Sequence, residues 1–156
     1  MTPNVWRITE QAIDSVIHAA HHALAQVRAE NGRLALRYSP VEFAKQFATC
    51  HVGFARRTGH STYIAQHFSP NDVVVTPNGQ LGRAMMALLS QRHCARDRVF
   101  SMSDPESMRS FHFKAHTVYP STIWVDDANL ISSPQIIYST FVDPRIITTQ
   151  LFVFLH

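Results

Sequence analysis

Two short stretches carry residue types suited to phosphate and metal chemistry. The first is "CHVGFARRTGHSTYIAQHF", residues 50–68, in which a β-prone run gives way to Gly59, His60, Ser61 and Thr62 at the start of a helical segment. A loop of that kind turns backbone N–H groups outward, and the helix N-terminus behind it favours anions, so a phosphate group is the ligand it suits. The second is "STIWVDDANLIS", residues 121–132, an apolar run ending in Asp126 and Asp127. One carboxylate there is placed to hold Mg²⁺ or its water, and the other to polarise an attacking water. Each stretch also has a plainer reading: a strand-to-helix turn capped by Ser61 or Thr62, and a strand end at which one Asp caps the next turn.

Positioning both stretches requires a scaffold, and the pattern of apolar residues predicts one. Ile13, Val16, Ile17, Ala20, Leu24 and Val27 recur at helical spacing, and Asn31-Gly32 supplies a left-handed stop, so a helix is expected from about Thr9 to Glu30. "SPVE" reads as a capping box, with Ser39 as cap, Pro40 in the first turn and Glu42 reaching back, and opens a second helix that ends near Thr49. Short β-prone runs follow at 50–54, 72–76, 98–102, 121–127 and 150–155, with helical segments between them at about 60–67, 79–93, 105–110 and 133–140. Strands that are apolar throughout, alternating with helices, predict an α/β fold: a five-stranded, mainly parallel sheet with helices on both faces and right-handed crossovers, preceded by two N-terminal helices. In such sheets ligands bind at the carboxyl edge of the strands, where both chemical stretches fall.

The totals agree with one domain across residues 1–156, a helical extension over 1–49 packed on an α/β core over 50–156, since a chain that is 46% hydrophobic can bury a real core. No apolar run approaches the roughly 20 residues of a membrane span and the first residues lack a signal-peptide layout, so no membrane partner and a cytoplasmic location are expected. Cys50 and Cys94 form no metal or disulfide framework and read as two packed thiols. Lys and Arg exceed Asp and Glu by 14 to 11, an excess that permits a polyanionic partner without requiring one.

Taken in order, the motifs resemble the RecA-like core of P-loop NTPases, the core also used by helicases and packaging ATPases. The resemblance covers residues 50–156: "RRTGHST" is similar to the Walker A loop, "TIWVDDA" to Walker B, "VVVTPN" to the strand and loop after the first crossover of helicases, and "TTQLFVFLH" to a sensor strand. Against GxxxxGK[ST] the chain reads "FARRTGHS", so Gly59 and Ser61 fit, Phe54 stands for the first glycine, and His60 stands for lysine. Gly53, one position early, is available for the tight turn.

The resemblance implies ATP and Mg²⁺ as cofactors. Arg57 and the segment Thr58, Gly59, His60, Ser61 and Thr62 would surround the phosphates, Ser61 and Asp126 would hold Mg²⁺, and Asp127 would be the general base. His60 lacks the fixed charge and the reach of lysine, and Asp127 is shorter than the glutamate common at its position. Loss of one such stabilising donor costs about 3 to 4 kcal/mol of transition-state binding, so weak or no hydrolysis is expected. Arg56, beside Arg57, and Arg145, acting on a neighbouring subunit, are further sources of charge or solvated surface residues.

Nucleic acid is the polymer the remaining basic residues suit. Arg92, Arg96 and Arg98 in "RHCARDR" and Lys114 in "FHFKAH" would meet phosphates while Phe111 or Phe113 stacks on bases, although "FHFKAH" also reads as an ordinary amphipathic strand or loop. Asp14, His18 and His22 fall four apart on the first helix, a spacing that permits a metal and equally describes a solvated polar face. Three functions follow as expectations: a weak ATPase acting on nucleic acid, with a homo-oligomer or protein partner completing its site; a non-enzymatic nucleic-acid- or protein-binding module on a decayed NTPase fold; and a different α/β fold in which the motifs coincide by chance.

Overall fold

The structure, a computed structural model, describes residues 3–30, 37–53, 59–91, 96–114, 120–147 and 149–156, with the backbone alone at 3–6, 30, 96 and 111–114. Among these residues, five strands form one sheet in which every pair is parallel: β1 (Thr49–Val52), β2 (Val73–Thr76), β3 (Val99–Ser101), β4 (Thr122–Val125) and β5 (Leu151–Leu155), in the spatial order β1-β5-β4-β2-β3. Strands β2 and β5 are buried along their whole length, which is why they read as uninterrupted apolar runs rather than as alternating ones.

Among the described residues, six α-helices accompany the sheet: α1 (Pro3–Glu30), α2 (Pro40–Phe47), α3 (His60–His67), α4 (Gly79–Ser90), α5 (Pro105–Lys114) and α6 (Gln135–Phe141). Register partners on parallel strands share a face, so Trp124 and Val153 point one way, while Phe152 and Phe154, one residue out of phase, point the other. Tyr63 of α3 packs edge-on against Trp124, with ring centroids 6.0 Å apart, and Tyr138 of α6 lies against Phe152 and Phe154 at 4.9 and 5.7 Å. Helices α3 and α6 therefore cover opposite faces. Helix α4 packs beside α3, α2 and α5 beside α6, and α1 against β1 and β5.

Local signals set most boundaries. Ser39 caps α2 as the capping box requires: its hydroxyl accepts from the Glu42 N–H at 3.3 Å, and its own N–H donates to the Glu42 carboxylate at 2.9 Å. Asn78 opens α4 by accepting from the N–H groups of Gln80 and Leu81 at 3.1 and 3.0 Å.

Other boundaries differ from expectation. Helix α1 starts at Pro3 rather than near Thr9, because Pro is tolerated in a first turn and no breaker follows it. Helix α5 runs on to Lys114, so Phe111–Lys114, expected as strand or loop, form its last turn. The strands are shorter than their apolar runs: Asp126 and Asp127 lie past the end of β4, and Asp72 lies just before β2. The Asn31-Gly32 stop, Cys94 and residues 115–116 of "FHFKAH" lie outside the described residues.

Buried polar groups at the other edge of the sheet fix how the strands start. The Asp72 carboxylate accepts from the N–H groups of Ser69 (2.9 Å) and Thr122 (3.2 Å) and from Trp124 Nε1 (3.1 Å), which ties the beginnings of β2 and β4 together. Gln150, fully buried before β5, donates to the carbonyls of Pro120 and Phe141 and accepts from the Asp143 N–H.

Candidate functional site

The order β1-β5-β4 sets one strand, β5, and so two inter-strand spacings of about 4.8 Å each, between the loop after β1 and the acids after β4. To meet Asp126, the start of α3 has to lie over the carboxyl end of β5. Gly59 makes that turn: its φ of 87° is left-handed, a conformation that a side chain would strain, and its carbonyl accepts the first helical bond from Tyr63 N–H at 2.8 Å. Ser61, half-buried in the first turn, then donates from Oγ to Asp126 Oδ2 at 2.6 Å.

Asp126 is held from three sides. Its N–H donates to the Val75 carbonyl of β2 at 3.0 Å, its Oδ1 accepts from the Asp127 N–H at 3.1 Å, and Ser61 takes Oδ2. The residue is 3% exposed. Burial pushes its carboxyl up to about 6, against the pull of the Ser61 hydrogen bond, and the Asp127 charge pushes the same way as burial. Asp127 has φ 48° and ψ 46° and is the one non-glycine residue with positive φ among the described residues. Asp tolerates this region better than most side chains do, and such backbone strain concentrates at functional sites.

His60 stands at the head of α3, half-buried and within charge range of Asp127 and of His156. Burial lowers its pKa below the ordinary 6.5, Asp127 raises it in part, and His156 lowers it again. The ring is therefore largely neutral at pH 7. His156, directly after β5, places Nε2 2.9 Å from Nδ1 of His51 on β1, and the two rings stack with centroids 5.2 Å apart. Burial and the neighbouring His156 both lower the His51 pKa. Neither residue attracted notice in the sequence; the pairing of β1 with β5 is what brings them to the mouth.

The donor set matches a hard cation: a carboxylate and a hydroxyl oxygen in contact, at the end of a parallel sheet. Mg²⁺ keeps several waters and takes only one or two protein oxygens beside phosphate oxygens. No group of three or more His, Cys, Asp or Glu is arranged to hold a metal among the described residues. That also applies to α1, where Asp14 accepts a hydrogen bond from Tyr63 and His18 and His22 are exposed, as on a polar face.

The remaining sequence-derived site residues are more scattered. Thr62 is exposed on the first turn of α3, and Arg56, Arg57 and Thr58 lie outside the described residues, as does Arg92. Arg96 and Arg98 begin and end a short 3-10 helix before β3, with Arg98 half-buried, and Lys114 ends α5. Arg145 turns back on its own chain: its Nε and Nη2 donate to the buried Asp143 carboxylate at 3.1 and 3.2 Å. Cys50 is a packed thiol, its pKa pushed up to about 11 by burial. No protein-family model, curated protein or solved structure matches the chain.

Proposed function

We propose that this protein binds ATP with Mg²⁺ at the mouth formed by Gly59–Thr62 and Asp126–Asp127, on a RecA-like P-loop NTPase core, and holds the nucleotide far better than it hydrolyses it. One observation carries the reading: the Ser61–Asp126 hydrogen bond of 2.6 Å, which joins the two stretches that the sequence singled out separately. The parallel sheet, with both stretches at its carboxyl edge, supports it.

Each residue has a definable part. Gly59 frees the turn and the first N–H groups of α3 to face phosphate oxygens. Ser61 and Asp126 would hold the metal, and ionisation of Asp126 would accompany its binding. Bound Mg²⁺ supplies charge neutralisation of the phosphate oxygens. Asp127 would orient and accept a proton from the attacking water.

His60 limits the reaction. A largely neutral imidazole does not provide the fixed charge that stabilises a developing phosphoryl transition state, so turnover falls by a hundredfold or more while binding persists. The wider part of the proposal is action on nucleic acid through Arg92, Arg96, Arg98 and Lys114, alone or with a protein partner or further copies of the chain.

Titration calorimetry with ATP, with and without Mg²⁺, tests the site. Magnesium-dependent binding that tightens in His60→Lys, with slow steady-state turnover, is the expected result. No binding by either protein would remove the nucleotide reading. Rapid hydrolysis that Asp127→Asn abolishes would retain it and overturn the holding role.

A further inference from the structure

A cavity of about 400 Å³ lies between α1, α3 and the amino ends of β2 and β4. It sits at the edge of the sheet opposite to the Ser61–Asp126 contact, since the Asp72 and Thr122 that border it stand at the beginnings of β2 and β4, whereas Asp126 follows β4. The volume is in the range of small-molecule sites. Tyr63, Trp124 and Ile17 contribute apolar and aromatic surface, and Asp14, His18, His21 and His67 contribute polar groups.

The polar groups are arranged as acceptors. His67 Nδ1 lies 3.0 Å from the Tyr63 carbonyl oxygen, which can only accept, so Nδ1 carries a proton, and the tautomer this selects leaves Nε2 as the acceptor. That Nε2 is 3.8 Å from Asp14 Oδ1. The same Oδ1 accepts the Tyr63 hydroxyl at 2.5 Å, and Oδ2 has no hydrogen bond among the described residues. Asp72, buried and already accepting from Ser69, Thr122 and Trp124, adds a second carboxylate behind the wall rather than a free acceptor. Although the chain holds 14 basic residues against 11 acidic ones, neither Lys nor Arg borders the cavity among the described residues.

We propose that this cavity is a binding site for a small organic cation, an amine or amidine on an aromatic or apolar body, whose N–H groups donate to Asp14 and to His67 Nε2 and whose body lies against Trp124 and Tyr63. An anion of the same shape meets two carboxylates with no fixed positive charge to offset them. The site is independent of the nucleotide reading.

The test uses benzamidine as probe, with benzamide and benzoate as neutral and anionic isosteres. Trp6→Phe leaves Trp124 as the single tryptophan of the two in the chain, so its fluorescence reports the cavity. The expected result is saturable benzamidine binding, about tenfold or more tighter than benzamide, with no saturation by benzoate. Asp14→Asn, which retains an oxygen for the Tyr63 hydroxyl, and separately His67→Gln, should each weaken benzamidine about tenfold, with the fold verified by circular dichroism. No saturable response to benzamidine, saturation by benzoate, or benzamidine binding unchanged in both variants would overturn the proposal.

Discussion

Ser61 Oγ and Asp126 Oδ2 are 2.6 Å apart although 65 residues separate them in the chain, and the acceptor is a carboxyl that burial has pushed up to about 6. The fold thus keeps a carboxylate where water solvates it poorly, and the Ser61 hydroxyl and the Asp127 N–H offset only part of that cost. Such a group destabilises the fold when ionised: its contribution is most favourable below the unfolded value of 3.8, and it is lost as pH rises through about 6.

Asp126→Asn should therefore stabilise the protein without metal. The amide retains an oxygen for the Asp127 N–H, and its NH₂ group can donate to Ser61 Oγ, so the contacts survive while the charge goes. At pH 8 a gain of about 1 kcal/mol, or 2–4 °C in melting temperature, is expected, vanishing near pH 4. Mg²⁺ affinity of the unsubstituted protein should fall as pH drops below about 6, because protons and metal compete for the same carboxylate. Thermal melts across pH, with and without Mg²⁺, measure both effects.

Asp127 predicts a difference between substitutions that remove the same charge. With φ 48°, its backbone lies where a β-branched side chain is strongly disfavoured and where Asn is tolerated. Asp127→Asn should leave stability within about 0.5 kcal/mol, whereas Asp127→Val should cost about 2 kcal/mol. Equal urea midpoints for the two would show that the left-handed turn is not imposed on this residue.

Asp72 predicts the largest loss of stability at the amino edge. Truncation to alanine leaves the N–H groups of Ser69 and Thr122 and the Trp124 indole N–H without their acceptor, at a cost of about 3 kcal/mol. Urea denaturation should find Asp72→Asn closer to the unsubstituted protein, since an amide oxygen still serves part of this set. An alanine variant as stable as the parent would contradict the clamp.

His51 and His156 predict a titration that NMR can follow. In their 2.9 Å contact one ring nitrogen donates and the other accepts, so a second proton breaks the bond. The His51 pKa lies below the ordinary 6.5, through burial and then through its neighbour, so this residue's contribution to stability is complete above 6.5 and declines as pH falls through its lowered folded pKa. His156→Gln should move the His51 titration upward by removing the neighbouring charge. An unmoved His51 resonance would leave burial as the whole cause.

Much of the scaffold was legible because it is written in local chemistry. The capping box at Ser39–Glu42, the buried apolar runs of β2 and β5, and the glycine before α3 each specify a backbone conformation from a few adjacent residues. The resemblance to the Walker motifs also singled out Ser61 and Asp126, since a small hydroxyl after a glycine and an acid after an apolar run are local features. Their contact was not legible. It depends on β5 pairing between β1 and β4, and strand order is decided by how whole faces pack rather than by any short segment. The same pairing brings His156 to His51, docking of α1 against α3 brings Asp14 to Tyr63 and His67, and the burial that results sets the charge states of Asp126 and His60. Residue identity fixed which groups were available for chemistry; tertiary packing decided their neighbours and their desolvation, because both are properties of the assembled sheet and not of the chain.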